Sequence, residues 1–336
     1  MNDITYSESL EIPDRIYIDV RAPIEFAEDH VEGAVNIPLF DDSERREVGT
    51  MYRAMGRDSA ITRGTAIVGG KLPELVGSFM QYRDRNIVIM CARGGMRSGS
   101  LAALLDSLGM PVFRLRDGYK GYRRHVAGQL ASILLPAPLF VLQGLTGTGK
   151  TEIIRKLPYA IDLEGMAGHR SSVFGGIGIA QKSQKRFESL LCDRIRGLAG
   201  APGIVIEGES RKIGNLHLPP SLYELMRCSP SILIDTPLER RVEIIYNEYH
   251  EHCTDDNIPV IVTGLTPKLG KKNADLLIGL YRAGNIREFI RIMLETYYDP
   301  LYRHTLDRKE HAAIIRNLDT DETVKQVMEL CGGPGR

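Results

Sequence analysis

The chain has 336 residues, 43% of them hydrophobic and 26% charged, which is ordinary globular composition for one long domain or two average ones. Its 43 Lys and Arg balance 43 Asp and Glu, so any site for a polyanion must come from local clustering rather than from net charge. No window is apolar enough to span a bilayer, and the opening MNDITYSESLEIPD lacks the basic and apolar regions of a signal peptide, so a cytoplasmic chain with no membrane partner is expected.

Strands and helices alternate from the start. RIYIDV (15–20), GAVNIP (33–38), NIVIM (86–90) and PVFRL (111–115) read as strands with helical patterns between them, which argues for a parallel sheet covered on both faces. Pro136 and Pro138 stop the helix that begins after Asp117 and mark a linker over residues 131–138, closing a first domain over 1–130. A second block opens with LFVLQ (139–143) and continues with GIVIE (203–207) and SILID (231–235), the mark of a second parallel sheet in a domain over 139–336. From about residue 237 onward the pattern is mostly helical and charged, as in LERRVEIIYNEYHEH and NIREFIRIMLETYY. The expected fold is therefore α/β with two parallel-sheet domains, the second P-loop-like and extended by C-terminal helices.

Five cysteines with no CxxC and no Cys/His pair at zinc spacing point to a reducing compartment rather than to disulfides or structural zinc. Cys192, Cys228, Cys253 and Cys331 read as packing or surface residues. Cys91 is different. It follows the strand NIVIM and opens CARGGMRSGS, so it begins a loop at the carboxyl end of a sheet, where open α/β folds place their ligands. Gly94 and Gly95 let that loop curl so that successive amides face inward, and the next helix N-terminus and Arg97 add positive charge. Such a nest holds an anion and lowers the pKa of a thiol at its centre. A buried structural cysteine would need neither the two glycines nor Arg93 and Arg97. Ser98 and Arg93 each read either as part of that site or as loop-shaping only.

DVRAPIEFAEDHVEGAVNIP (19–38) resembles the rhodanese homology pattern, in which His30 is a structural hydrogen-bonder; that family moves sulfur or selenium through a cysteine of this kind. The spacing C-x5-R-S is one residue longer than the commonest rhodanese loop and is also the phosphate loop of tyrosine and dual-specificity phosphatases. The loop alone is compatible with chalcogen transfer and with phosphate-ester hydrolysis. Met90, standing where those phosphatases usually carry a histidine, weighs against the second.

The second block carries GLTGTGKT (144–151) between a strand and a helix, which matches the P-loop pattern in the context it requires. Gly144, Gly147 and Gly149 allow the backbone to wrap a diphosphate, Lys150 neutralises its charge, and Thr151 can ligate Mg²⁺. Glu207 and Glu209, ending GIVIEGES, are candidates for the acid that holds the ion or a water. Asp235, ending SILID, is the alternative.

A rhodanese-like domain followed by a P-loop domain, taken with GHRSSVFGGIG (168–178) and EGESRKIG (207–214), resembles the tRNA 2-selenouridine synthase family over nearly the whole chain. The resemblance implies a transferase that S-alkylates wobble 2-thiouridine from geranyl diphosphate and then displaces the geranyl thiol using selenophosphate. It implies no tightly bound cofactor, Mg²⁺ at most, with tRNA and small phosphate-bearing molecules as partners. The enzyme that makes selenophosphate is a further candidate partner. RLRDGYKGYRRH (114–125), with five Arg or Lys against one Asp, and the basic pairs around Arg170, KSQKR (182–186) and Arg211 are the candidate phosphate contacts, whether to the small ligand or to RNA. The alternative is a rhodanese-fold sulfurtransferase or phosphatase joined to a P-loop ATPase or kinase-like domain.

Overall fold

The computed structural model describes residues 2–249 and 257–332. The chain forms two compact units, Met1–Leu130 with Ser183–Asp193, and Ala131–Lys182 with Arg194–Arg336. Residues 183–193, which fall in the sequence span expected for the second domain, thus pack with the first.

The first unit contains strands β1 (Asn2–Ile4), β2 (Arg15–Asp19), β3 (Val35–Asn36), β4 (Asn86–Met90) and β5 (Val112–Leu115). Its helices are α1 (Tyr6–Ser9), α2 (Pro23–Glu28), α3 (Asp42–Met55), α4 (Arg57–Met80), α5 (Met96–Ser107) and α6 (Gly118–Ala131). The strands run parallel in the order β1-β5-β4-β2-β3. A parallel strand covered on both faces must be apolar throughout, and Ile87, Val88, Ile89 and Met90 of β4 are all fully buried. Phe79, Leu101 and Leu105 pack against Ile18, Ile87 and Ile89 to make the core.

At the end of β2 the core holds charge. Arg21 is 3% exposed and Asp19 fully buried, and the pair is bidentate, with Nε to Oδ2 at 2.8 Å and Nη2 to Oδ2 at 2.6 Å. Arg21 also donates to the Asp29 carbonyl at 2.7 Å, and its guanidinium lies 3.7 Å from the Tyr119 ring centroid. The Asp-x-Arg pattern is therefore a structural clamp between the end of β2, the α2–β3 loop and α6. Asp29, buried in turn, accepts from Tyr119 and Ser189 hydroxyls, both at 2.9 Å. Ser189 belongs to the stretch 183–193, which joins this unit through such polar contacts. His30 holds the Phe26 carbonyl at 2.9 Å and stacks on the Phe26 ring, as expected of a structural hydrogen-bonder.

The second unit carries β6 (Leu139–Gln143), α7 (Lys150–Lys156), β7 (Ala160–Ile161), α8 (Leu163–Ala167), the end of α9 (Gln184–Arg196), β8 (Ile204–Glu207), the hairpin β9 (Lys212–Ile213) and β10 (Leu216–His217), α10 (Pro220–Cys228) and β11 (Ser231–Asp235). There follow α11 (Leu238–Tyr249), α12 (Asn257–Gly264), α13 (Thr266–Leu269), α14 (Lys271–Arg282), α15 (Ile286–Met293), a π-turn (Leu294–Tyr298), α16 (Asp299–Leu306), β12 (Ala313–Arg316) and α17 (Thr320–Gly332). The main sheet is parallel, in the order β12-β11-β6-β8-β7. The helices from α11 to the π-turn build a second apolar cluster around Val262, Leu277, Phe289, Met293 and Leu294.

Two departures from the sequence reading are instructive. Ala313–Arg316 lies in a stretch read as helical but pairs with β11 as an edge strand, because an apolar run of four residues has no period that separates strand from helix. Asn2–Ile4 is an unexpected edge strand beside β5. Cys331 is buried, Cys192 half-buried and Cys228 exposed; Cys253 and the end of the LERRVEIIYNEYHEH pattern lie outside the described residues. No helix among the described residues is long and apolar enough to cross a membrane.

Removing one partner of a buried ion pair leaves the other charge uncompensated. Asp19→Asn is expected to destabilise the first unit by about 3–5 kcal/mol, read as faster hydrogen exchange of the β2 and β4 amides with the second unit's amides unchanged.

Candidate active site

Cys91 sits where β4 leaves the sheet. The loop that it opens is pressed against the start of α6: Tyr119 and Lys120 amides donate to the carbonyls of Cys91 and Ala92 at 2.8 and 3.0 Å. Gly118 has φ +54°, and a Cβ there would stand 2.0 Å from the Cys91 carbonyl oxygen, so no side chain fits. Gly94 has φ +61°, with Leu115 and Asp117 backbone atoms 2.9 Å from an added Cβ. Gly95 faces open space.

The thiol is 3% exposed, and its sulfur lies 3.1 Å from the Ser98 hydroxyl oxygen. Burial alone would raise its pKa. The Ser98 hydroxyl, the Arg93 and Ser98 amides and the Arg97 charge outweigh burial and hold the thiol below its ordinary value, which favours the nucleophilic thiolate. Ser98, open in the sequence between a site role and loop-shaping, is thus in contact with the sulfur, and the spacing of one helical turn after the loop was the signal for it. Arg97 donates to Glu25 at 2.9 Å, and Glu25 also faces Arg45 at 3.5 Å. An incoming anion must therefore compete with Glu25 for Arg97. Arg93 is exposed.

In the second unit the P-loop follows β6, the central strand of its sheet. Gly147 and Gly149 have φ +78° and +85°, and a Cβ on Gly147 would meet the Ile245 side chain at 2.5 Å. The loop is gripped through its carbonyls. Thr236 and Asn317 side chains donate to the Thr148 carbonyl at 3.0 and 2.9 Å. Arg241, 3% exposed, donates to the Thr146 carbonyl at 2.9 Å and makes a bidentate pair with Asp299 at 2.9 and 2.6 Å. Lys150 folds back onto the carbonyls of Gly144 and Leu145 at 2.9 and 3.1 Å.

Carboxylates crowd the loop's far side. The Thr151 hydroxyl donates to Glu164 Oε2 at 2.9 Å, and the Ser171 amide donates to Glu164 Oε1 at 2.5 Å. The Glu164 amide donates to Glu207 at 3.1 Å. Glu207 is 1% exposed with its other oxygen unpartnered, and burial, then the charges of Glu164, Asp162 and Glu209, push its carboxyl well above the usual range. Burial and Glu164 push Glu209 up to about 7, against the pull of the Ser171 hydroxyl and Lys150. Asp235, exposed at the end of β11, is not on the cavity wall. As for Mg²⁺, no group of three or more His, Cys, Asp or Glu side chains that could hold a metal occurs among the described residues. The Thr151 hydroxyl, donating to Glu164, is the oxygen in the P-loop pattern that would reach an ion.

These elements line a cavity of about 690 Å³. One part of its wall is the P-loop from Gly144 to Thr151 with Glu164 and Glu209; another is apolar and aromatic, with Ile245, Tyr281, Phe289, Ile290, Met293 and Tyr298. Arg170 is on this wall but paired to Glu248 at 2.6 Å and stacked 4.5 Å from the Tyr249 ring centroid. Arg211, its partner in the sequence reading, is 73% exposed, beside Glu224 at 3.6 Å, and does not line the cavity. The candidate RNA contacts are also partly committed. Arg114 pairs with Asp3, Arg123 with Glu188 and Ser189, and Lys185 with Glu28; of the exposed basic residues of the 114–125 stretch, Arg116, Lys120 and Arg124, the last faces Asp117 at 3.0 Å.

Comparison with known proteins agrees with this architecture. Residues 5–125 match the rhodanese-like domain and residues 137–264 the tRNA 2-selenouridine synthase AAA domain. A tRNA 2-selenouridine synthase of Hahella chejuensis is 33% identical, covering 89% of this chain and 87% of its own length. Those of Hydrogenovibrio crunogenus and Alcanivorax borkumensis are each 34% identical, covering 87% and 90% of this chain and 90% and 92% of their own lengths. A solved N-terminal domain of a Clostridium difficile 630 protein described as ATP/GTP binding is 44% identical over 37% of this chain and 97% of its own, with a TM-score of 0.36, too low to carry a fold argument. A rhodanese-like unit with a low-pKa thiol, a P-loop unit and relatives at this identity along nearly the whole chain place it in the tRNA 2-selenouridine synthase family.

Proposed function

We propose that the chain converts wobble 2-thiouridine in tRNA to 2-selenouridine in two steps, S-geranylation from geranyl diphosphate followed by selenation from selenophosphate. The observation that carries this reading is the composition of the cavity wall. A P-loop offers a diphosphate its amides and Lys150, and the same cavity continues into an aromatic and aliphatic chamber that suits a ten-carbon isoprenoid chain and gives a nucleotide's ribose little to bond to.

In the first step the base sulfur attacks the carbon bearing the diphosphate, the C–O bond breaks, and pyrophosphate leaves. Lys150 moves from the Gly144 and Leu145 carbonyls to the phosphates, and with the loop amides stabilises the growing charge. Thr151 would help to hold an Mg²⁺ bound with the diphosphate, which would add positive charge against the leaving group. In the second step the selenium of selenophosphate adds to C2 of the base, the C2–S bond breaks to release geranyl thiol, and water cleaves the Se–P bond. Cys91 and its loop serve this step, with Arg97 exchanging Glu25 for the phosphate. Exposed Arg116, Lys120 and Arg124 support binding of the RNA backbone.

The test is to incubate the chain with thiolated tRNA, geranyl diphosphate and Mg²⁺, with and without selenophosphate, and to weigh the digested nucleosides. Geranylated thiouridine is expected first and selenouridine on adding selenophosphate. Cys91→Ala is expected to stop at the geranylated base. Lys150→Ala should bind geranyl diphosphate about 10- to 100-fold more weakly, the loss of a charge-assisted hydrogen bond. Unchanged tRNA together with ATP or phosphoester turnover would overturn the proposal.

The thiol can be followed on its own. Iodoacetamide labelling of Cys91 should proceed at a lower pH than that of an ordinary cysteine, because the folded loop lowers its pKa. Ser98→Ala removes the strongest interaction favouring the thiolate, so labelling should slow at neutral pH and its pH profile should move to higher pH.

A further inference from the structure

S-alkylation of a 2-thiouracil ring has a proton to place. The substrate is a thione with a hydrogen on N3, whereas the product is a thioether with a C2–N3 double bond. As the sulfur bonds to carbon and the C–O pair departs with pyrophosphate, the N3–H electrons become the ring double bond and the proton must go to a base. Lys150 is a cation, and the Thr151 hydroxyl is already a donor to Glu164.

Four carboxylates line the cavity: Glu152, Glu164, Glu209 and Glu248. Three are committed. Glu152 faces Lys156 at 3.4 Å and accepts from Thr320 at 3.3 Å. Glu164 spends one oxygen on Thr151 and the other on the Ser171 amide. Glu248 is paired with Arg170. Glu209 forms no ion pair among the described residues. It follows β8 on the same wall as the P-loop, beside Ser171, whose hydroxyl favours its charged form. Glu207, two residues earlier, lies behind the wall.

Building on the two-step reaction proposed above, we infer that Glu209 is the general base of the S-alkylation step, taking the N3 proton as the sulfur–carbon bond forms and pyrophosphate leaves. Its surroundings suit the task. Glu164 from α8, Lys150 from the P-loop, Ser171 from the loop after α8, Tyr302 from α16 and Glu207 on its own segment are the charged, titratable or polar groups set around it. On the cavity wall Glu209 has no ion pair among the described residues, whereas Glu152 and Glu248 do, and it stands beside the P-loop where the diphosphate carbon would be held.

The experiment is single-turnover geranylation of thiolated tRNA by the full-length chain, its Glu209→Gln and its Glu209→Asp variants, from about pH 6 to about pH 9, with geranyl diphosphate affinity measured separately by titration. The wild-type rate should rise with pH and level off, as expected of a base that must be unprotonated. Glu209→Gln should be slowed about 10²- to 10⁴-fold at neutral pH, with unchanged affinity for geranyl diphosphate. Its residual rate should climb at alkaline pH as the substrate loses the N3 proton unaided. Glu209→Asp should fall between. A Gln variant within about twofold of wild type, or one whose affinity falls in step with its rate and whose pH profile keeps the wild-type shape, overturns the assignment of the base alone. A wild-type chain that forms no geranylated nucleoside overturns the reaction itself and the base with it.

Discussion

The guanidinium of Arg241 is the joint on which the second unit's site depends. One of its nitrogens holds the Thr146 carbonyl of the P-loop and two hold Asp299, the first residue of α16. The P-loop is the phosphate end of the cavity, and the helices leading into α16 are its apolar end, so a single buried residue fixes the distance between them. Only arginine presents a planar fork that can satisfy a carboxylate bidentately and still reach a carbonyl. The pair is out of water, so loss of either side leaves an uncompensated charge, and this ties cavity shape to the folding of the unit. Gly147 belongs to the same joint, since its missing side chain lets the loop lie against Ile245 of α11.

The acids beside the P-loop look at first like a poor choice next to a diphosphate. Burial and hydrogen bonding moderate their charge. Glu207 is buried with no cation of its own, which pushes its carboxyl well above the usual range, and the Glu164 carboxylate is spread over a hydroxyl and an amide. Burial and Glu164 push Glu209 up to about 7, so each carboxylate beside the loop is either disfavoured in its charged form or shared between donors.

Much of this was legible in the chain because it is local. Buried strands that run four or five apolar residues and end in glycine-rich loops, NIVIM before CARGG and LFVLQ before GLTGTGK, announce strand, turn and site within about fifteen residues. The rest depends on contacts between residues far apart in sequence. Nothing around Arg241 predicts that it grips Thr146, 95 residues away, and the apolar chamber is assembled from α11 to α16, whose amphipathic patterns read only as packing. Arg170 and Arg211 look alike in sequence but are separated by the fold, one a cavity wall residue held by Glu248 and the other at the surface. Glu207 and Glu209 were singled out together, and only their burial separates a carboxyl behind the wall from one that faces the ligand.

In the proposed reaction the chamber also gives a physical reason for passing through an alkylated base. A thione sulfur is a poor leaving group, and alkylation turns it into a thiol that departs as a stable molecule. A methyl group would serve that purpose chemically, but it would give the protein almost nothing to hold. Ten carbons placed against Phe289, Met293 and Tyr298 are worth up to about 8 kcal/mol of gross transfer free energy at about 0.8 kcal/mol per carbon. That binding is remote from the reacting carbon, so it can be used to hold the diphosphate and the sulfur in line for displacement. The chain that makes sulfur displaceable is, on this reading, also what lets the P-loop unit position it.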